Sequence, residues 1–275
     1  MKVTGKKAAP IGVFDSGVGG LTVMREISRQ LPCENIIYFG DTARVPYGSK
    51  SQNNVIRFSE QIIRFLQTKQ VKAIVIACNT ASALALESVQ ERFAVPIIGV
   101  VIPGARAAVE VTQNRKVGVV GTDATVQSGM YTKVIHKMAP DIVVLEKACP
   151  LFVPLVEEGF KEHVVTEEVI EYYLDSLRNT EIDAMILGCT HYPLLRSKIR
   201  AFMGDKIQIV NPAYETAMDL KKLLKQQGIE NDGATGECRH YEFYVSDAAE
   251  KFRKFANTVM PFDVPTTNVV NIEEY

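Results

Sequence analysis

The chain has almost no imbalance of charge. Its 31 Lys and Arg stand against 32 Asp and Glu, which leaves a net charge of −1 over 275 residues. Nucleic acid and acidic membrane surfaces are recognised through an excess of positive charge, so neither is an expected partner. Long hydrophobic runs are missing as well. The longest apolar stretch, Val95 to Ile102, contains Pro96 and falls well short of the roughly 20 residues that cross a bilayer. Met1 to Pro10 carries Lys2, Lys6 and Lys7, but no hydrophobic core or small-residue cleavage site follows them. No signal peptide is therefore expected, and a cytoplasmic location is.

Clustered cysteines are also missing. Cys33, Cys78, Cys149, Cys189 and Cys238 are odd in number, widely spaced and without a CxxC pair. Neither a disulfide framework nor a zinc ribbon is expected on that basis. A lone cysteine is ordinarily a small buried hydrophobe, and Cys33, Cys149 and Cys238 are read that way. With 47% hydrophobic and 23% charged residues, the composition is that of an ordinary soluble globular protein.

What is present is regular alternation. Ile11–Phe14, Ile36–Phe39, Ala73–Ala77, Ile97–Val101, Val117–Val120, Ile142–Leu145, Ala184–Leu187, Ile207–Val210 and Glu242–Val245 are short β-branched runs with few polar residues. They read as strands covered on both faces. Segments between them, such as Asn53–Gln67, Thr166–Leu177 and Tyr214–Lys225, read as helices. Such alternation predicts an α/β fold of mostly parallel sheets with helices on both faces.

The pattern also repeats. Ile11 to Ser16 resembles Val117 to Thr122, each a strand leading into a hydroxyl residue, and Ile36–Phe39 matches Ile142–Leu145 at the same offset. A cysteine strand follows in each half. The expectation is two pseudo-symmetric domains with the active site in the crevice between them. Residues 1–98 with 207–275 would carry Cys78, and residues 99–206 would carry Cys189.

Those cysteines end look-alike strands. Ala73 to Ala77 leads into Cys78-Asn79-Thr80, and Ala184 to Gly188 leads into Cys189-Thr190-His191. The carboxyl end of a parallel sheet is where ligands bind, and amides at a helix start lower the pKa of a thiol placed there. Either thiol alone is better read as buried packing. The two together, at matching repeat positions, favour a site that works on a substrate from both sides.

Other segments leave their meaning open. Asp15 to Leu21 carries glycines that let the backbone approach an anionic ligand at a helix start. A dinucleotide fingerprint would need glycine at position 22, which is Thr. A small carboxylate ligand suits the segment, and so does a plain turn capped by Asp15. Asp41 to Gly48 either lines the crevice or is a surface loop. Glu157 and Glu158 are adjacent carboxylates of the kind that usually end a solvated helix. His136, His163 and His240 are read as lying on solvated faces, whereas His191 is tied to a cysteine segment.

Four segments together resemble a known family. DSGVGG at Asp15–Gly20, GDTARVPYG at Gly40–Gly48, ACNTAS at Ala77–Ser82 and GCTHYPLL at Gly188–Leu195 are similar, in order and spacing, to the glutamate racemases of bacterial cell-wall synthesis. The resemblance implies a racemase of L- and D-glutamate that needs no cofactor and no metal. It makes Cys78 and Cys189 the acid/base pair, with Asp15 beside the first and Glu157 and His191 beside the second. Glu157 is chosen over Glu158 from its place in PLVE. Asp15, Ser16, Tyr47, Gly48, Asn79, Thr80, Thr190 and His191 would bind substrate, and Asp41 would support. A homodimer is implied too. Some members carry an amino-terminal extension and need a cell-wall precursor as activator, and the short leader Met1–Pro10 argues against that here.

Three rivals remain at this stage. One is an aspartate or related diacid racemase of the same superfamily, since pocket length is not written in the sequence. A second is an amino-acid-binding module without catalysis. The third is a thiol-disulfide redox protein, disfavoured by the distance between the cysteines along the chain.

Overall fold

Apolar residues that alternate between two faces dictate where each strand lies. In the first half, Val13, Tyr38 and Val75 enter one hydrophobic cluster, and Phe14, Phe39 and Ile76 enter another on the opposite face. In the second half, Val120 and Leu187 point one way, Val119 and Ile186 the other. This is the period of two expected of strands buried on both faces. The computed structural model describes residues 3–233 and 239–275. Cys238 lies outside the described residues.

The strands are β1 (Ile11–Asp15), β2 (Ile36–Gly40), β3 (Ala73–Ile76), β4 (Ile97–Gly99), β5 (Lys116–Gly121), β6 (Val143–Ala148), β7 (Ala184–Gly188), β8 (Gln208–Val210), β9 (Tyr241–Val245) and β10 (Asn268–Val269). They form a six-stranded sheet of order β10-β9-β2-β1-β3-β4 and a four-stranded sheet of order β6-β5-β7-β8. All the pairings are parallel. In each sheet one strand, β1 or β5, sits between the next strand and the cysteine strand. That reversal of strand order opens a crevice at the carboxyl ends, where ligands bind in such sheets.

The nine expected strands are present, and the two-residue β10 was not foreseen. The expected helices are each one to two residues longer at either end. They span Gln52–Thr68, Val164–Arg178 and Pro212–Gln226. Caps explain the earlier starts: His163 accepts from the Val165 N–H, Asn211 accepts from the Ala213 N–H, and Pro212 opens its helix.

The boundaries drawn from sequence need two corrections. The return to the first half does not begin at Ile207. Strand β8 pairs with β7, Met185 opposite Ile209, and Ile207 and Ile209 pack in the core of the second half. These apolar residues cover the open edge of β7, which no other strand protects. The crossing back is made by helix Pro212–Gln226, whose Ala217, Leu220 and Leu224 pack beneath the first sheet. Strand β4 also extends one residue past the drawn limit, since Gly99 pairs with Ile76.

At the edge opposite the crevice, Lys72 and Glu34 form a buried ion pair at 2.5 Å. The Lys72 ammonium also donates to the carbonyls of Lys7 at 2.6 Å and Ile229 at 2.9 Å. It thereby holds the amino-terminal segment and the chain after residue 226 to the first sheet. Removing one partner of a buried pair leaves the other charge uncompensated. Lys72→Met is therefore expected to destabilise the fold by about 3–5 kcal/mol in urea unfolding. Glu34→Gln in the same chain is expected to recover part of that loss. A single-variant loss below about 1 kcal/mol would show that the pair does not carry this edge.

Candidate active site

The ends of six strands converge on one cavity of about 380 Å³. Ser16 follows β1, Tyr47 and Gly48 follow β2, and Cys78, Asn79 and Thr80 follow β3. Thr122 and Asp123 follow β5, Pro150 follows β6, and Cys189, Thr190 and His191 follow β7, with Glu157 closing one side. Ten of the residues singled out in the sequence thus line one cavity. Asp15 does not. It is fully buried behind the cavity, with its Oδ2 accepting from the Gly17 N–H at 3.0 Å. Its Oδ1 is buried without a hydrogen-bond partner. Asp41 is also buried away from the cavity. Glu158 points to the surface, where Lys251 lies 3.2 Å away. His136, His163 and His240 are exposed, Cys33 is half-buried and Cys149 is buried.

Cys78 caps the helix Asn79–Arg92, its Sγ accepting from the Ala81 N–H at 3.4 Å and lying 3.6 Å from Ser16 Oγ. The helix start was expected to lower this thiol. The structure gives the opposite balance. Burial, aided by the nearby Asp15 carboxylate, outweighs the Ala81 and Ser16 hydrogen bonds and pushes Cys78 up to about 12. Asp15 is itself raised by burial, against the pull of His191 and the Gly17 and Gly20 amides.

Cys189 has different company. Its Sγ lies 3.8 Å from His191 Nδ1, and His191 Nε2 lies 2.9 Å from Glu157 Oε1. Burial alone would lower His191. The hydrogen bonds and charges of Cys189 and Glu157 overcome it and raise the imidazole to about 10. Glu157 ends below the usual carboxylate range, because the His191 contact outweighs its own burial. One thiol therefore faces the His191–Glu157 pair, and the other lies near the buried Asp15 carboxyl group.

Contacts across the crevice fix the two halves to each other. Tyr131 donates to Asn79 Oδ1 at 2.7 Å, and Thr80 Oγ1 meets Thr122 Oγ1 at 2.9 Å. Thr22 donates to the Thr190 carbonyl at 2.9 Å. The glycine turn after β1 serves this approach. A Cβ at Gly19 would stand 2.2 Å from Thr190 Oγ1 and 2.5 Å from the His191 ring. Only glycine lets the backbone pass there. At Gly48 a Cβ would meet Thr122 at 2.9 Å.

Thr122 and Asp123 were missed in the sequence. A signal for Thr122 existed, because the internal repeat aligns it with Ser16. Asp123 follows it as the first residue of a helix that Thr122 caps. Val45, Pro46 and Ser49 also line the cavity; the first two lie in the Asp41–Gly48 loop read as either crevice lining or surface, and Ser49 follows it without a signal of its own.

Comparison with known proteins identifies the family. Residues 11–219 match the model of the Asp/Glu/hydantoin racemase family. The glutamate racemase of Geobacter metallireducens is 47% identical over 247 residues, 90% of this chain and 91% of that one. A glutamate racemase isoform of Bacillus anthracis superposes with a TM-score of 0.91 at 40% identity, covering 96% of this chain and 98% of that one. The glutamate racemase of Francisella tularensis, solved in complex with D-glutamate, gives a TM-score of 0.91 at 38% identity, covering 98% and 100%. Identity at this level over nearly the whole length places the match well beyond shared fold: the chain belongs to the Asp/Glu/hydantoin racemase family, on its glutamate racemase branch.

Proposed function

We propose that this protein interconverts L- and D-glutamate by a two-base reaction in which Cys78 and Cys189 exchange protons with opposite faces of the substrate Cα, without cofactor or metal. The observation that carries this reading is the single cavity lined by both thiols, each at the end of an equivalent strand. Racemisation removes a hydrogen from one face and returns one to the other. A single base cannot easily reach both faces of a held substrate, whereas two opposed groups can. A thiolate accepts the proton while the facing thiol donates one, and the roles exchange for the reverse reaction.

The Cα–H of an amino acid is a very weak acid, so the developing carbanion needs fixed dipoles around it. Ser16, Thr80 and Thr190 offer hydroxyls. The Asn79 carbonyl is occupied by Tyr131, which leaves its amide N–H groups for a substrate carboxylate. Tyr47, Gly48 and His191 complete the binding wall. Asp15 acts from behind, on Cys78, rather than on the substrate directly. His191, held as imidazolium, balances a thiolate at Cys189, and Glu157 orients the ring. We further infer that the enzyme is a cytoplasmic homodimer supplying D-glutamate for peptidoglycan. Among the described residues no helix is long and apolar enough to cross a membrane.

Loss of optical signal from either glutamate enantiomer, with aspartate unchanged, is the test of reaction and substrate together. It should proceed in EDTA, without pyridoxal phosphate, and in D₂O should label Cα. Cys78→Ser and Cys189→Ser are each expected to reduce racemisation by roughly 10²–10⁴-fold. Near-normal turnover in either variant, or quantitative retention of the original hydrogen, would contradict the two-base reaction.

The pH dependence follows from His191. Its pKa is raised to about 10, so the charged ring is present below that pH and lost above it. The value of kcat/KM is expected to fall as pH rises through about 10 in the free enzyme. His191→Asn, which carries no charge at any pH, should lower the plateau and abolish that alkaline limb. A wild-type profile that stays level well above this pKa would exclude the imidazolium from the reaction.

A further inference from the structure

We propose that Asp41 is a positioning residue of this site, acting on the cavity wall through Tyr47, and that the carboxyl-terminal segment belongs to the same mount. The inference rests on the reading of the cavity as a glutamate site.

Asp41 follows β2, is wholly buried and does not touch the cavity. Both of its oxygens are occupied. Oδ2 accepts from the Tyr47 hydroxyl and from Arg44 Nε at 2.7 Å. Oδ1 accepts from Ser246 Oγ at 2.8 Å, and Ser246 Oγ in turn accepts from the Ala43 N–H at 2.8 Å. A phenol has one proton to donate, and Tyr47 gives it to Asp41. The phenol keeps that proton: burial, reinforced by the Asp41 carboxylate, holds it well above its usual range. Tyr47 lines the cavity, yet its hydroxyl is committed to an anchor outside it.

The flank of the same ring is held by the same network. The Tyr47 ring packs on Phe58 with centroids 5.5 Å apart, and the Arg44 guanidinium lies 4.1 Å from the Phe58 centroid. Arg44 Nη1 donates to Gln61 Oε1 at 2.6 Å and to Glu273 Oε1 at 3.1 Å. Gln61 Nε2 donates to Glu273 Oε2 at 3.2 Å. Glu273 sits in the last turn of the chain, after β10. The tail thus reaches, through Arg44 and Asp41, a ring on the cavity wall. Charge-assisted hydrogen bonds of this kind are stronger than neutral ones, and the buried Asp41 carboxyl, with both oxygens occupied, restricts the geometry of the groups bonded to it. The Val45 to Ser49 stretch of the wall is therefore fixed from behind, by residues that never meet the substrate.

The test uses full-length enzyme and variants that leave the buried charges themselves in place. Asp41→Asn would remove the buried charge that pairs with Arg44 and risks the fold, so Tyr47→Phe and Ser246→Ala are the informative pair. Tyr47→Phe keeps the ring and loses the anchor. Ser246→Ala loosens Asp41 without touching the cavity. Each is expected to raise KM for both glutamate enantiomers about fivefold, the equivalent of one hydrogen bond, with kcat within about twofold. The double variant is expected to be no worse than the weaker single, because both act through one anchor. Ser246→Thr, which retains the hydroxyl, should restore KM. An unchanged KM in Ser246→Ala, or effects that simply multiply, would mean that the Tyr47 hydroxyl serves the ligand directly and would overturn the inference. Wild-type enzyme inert toward both enantiomers would instead overturn the parent reading, and this one with it.

Discussion

Two thiols can serve opposite faces of one small molecule only if the bodies that carry them are held at a fixed separation. That constraint organises the rest of the structure. Cys78 and Cys189 stand on different sheets, so no strand pairing fixes the distance between them. The Thr80–Thr122, Asn79–Tyr131 and Thr22–Thr190 hydrogen bonds contribute to it, together with the bare backbone at Gly19 and the packing of Ala83 into the core of the second half. Each such bond contributes only about 1 kcal/mol net.

Burial has a cost that the site answers differently on its two sides. A buried thiol is driven toward its neutral form, as at Cys78. On the proposed mechanism a protonated donor is what one face requires. On the other side, a thiolate must be tolerated in the same low-dielectric space. The charge of His191, itself sustained by Glu157, is the physical means available.

How much of this was legible in the sequence depended on how local each signal was. Strands β1 to β9 were readable because each is a dense apolar run bounded by polar residues. Strand β10, two exposed residues paired only with β9, carries no such signal and exists because β9 offers an edge. The return point at Ile207 was misread for a related reason. Strand β8 is as apolar as its neighbours, and nothing in its composition says which sheet it joins. The site residues beside the cysteines were legible by repeat and motif. The altered balance at Cys78 was not, because a helix-start amide is visible in sequence while complete burial beside Asp15 is a tertiary fact. Thr122 lay within reach, since the repeat that paired the cysteines also paired it with Ser16.

The repeat also carries an unequal pair of helpers, and equilibrium limits what that inequality can do. Enantiomers have equal free energy in water, so kcat/KM must be the same for the two directions whatever surrounds each thiol. Asp15 behind Cys78 and the His191–Glu157 pair beside Cys189 cannot bias the final mixture. They can only divide the common barrier between binding and chemistry, giving each direction its own kcat and KM. A pseudo-symmetric fold needs matching backbones to present two thiols to one carbon. It does not need matching side chains behind them, and the structure keeps the first symmetry while dispensing with the second.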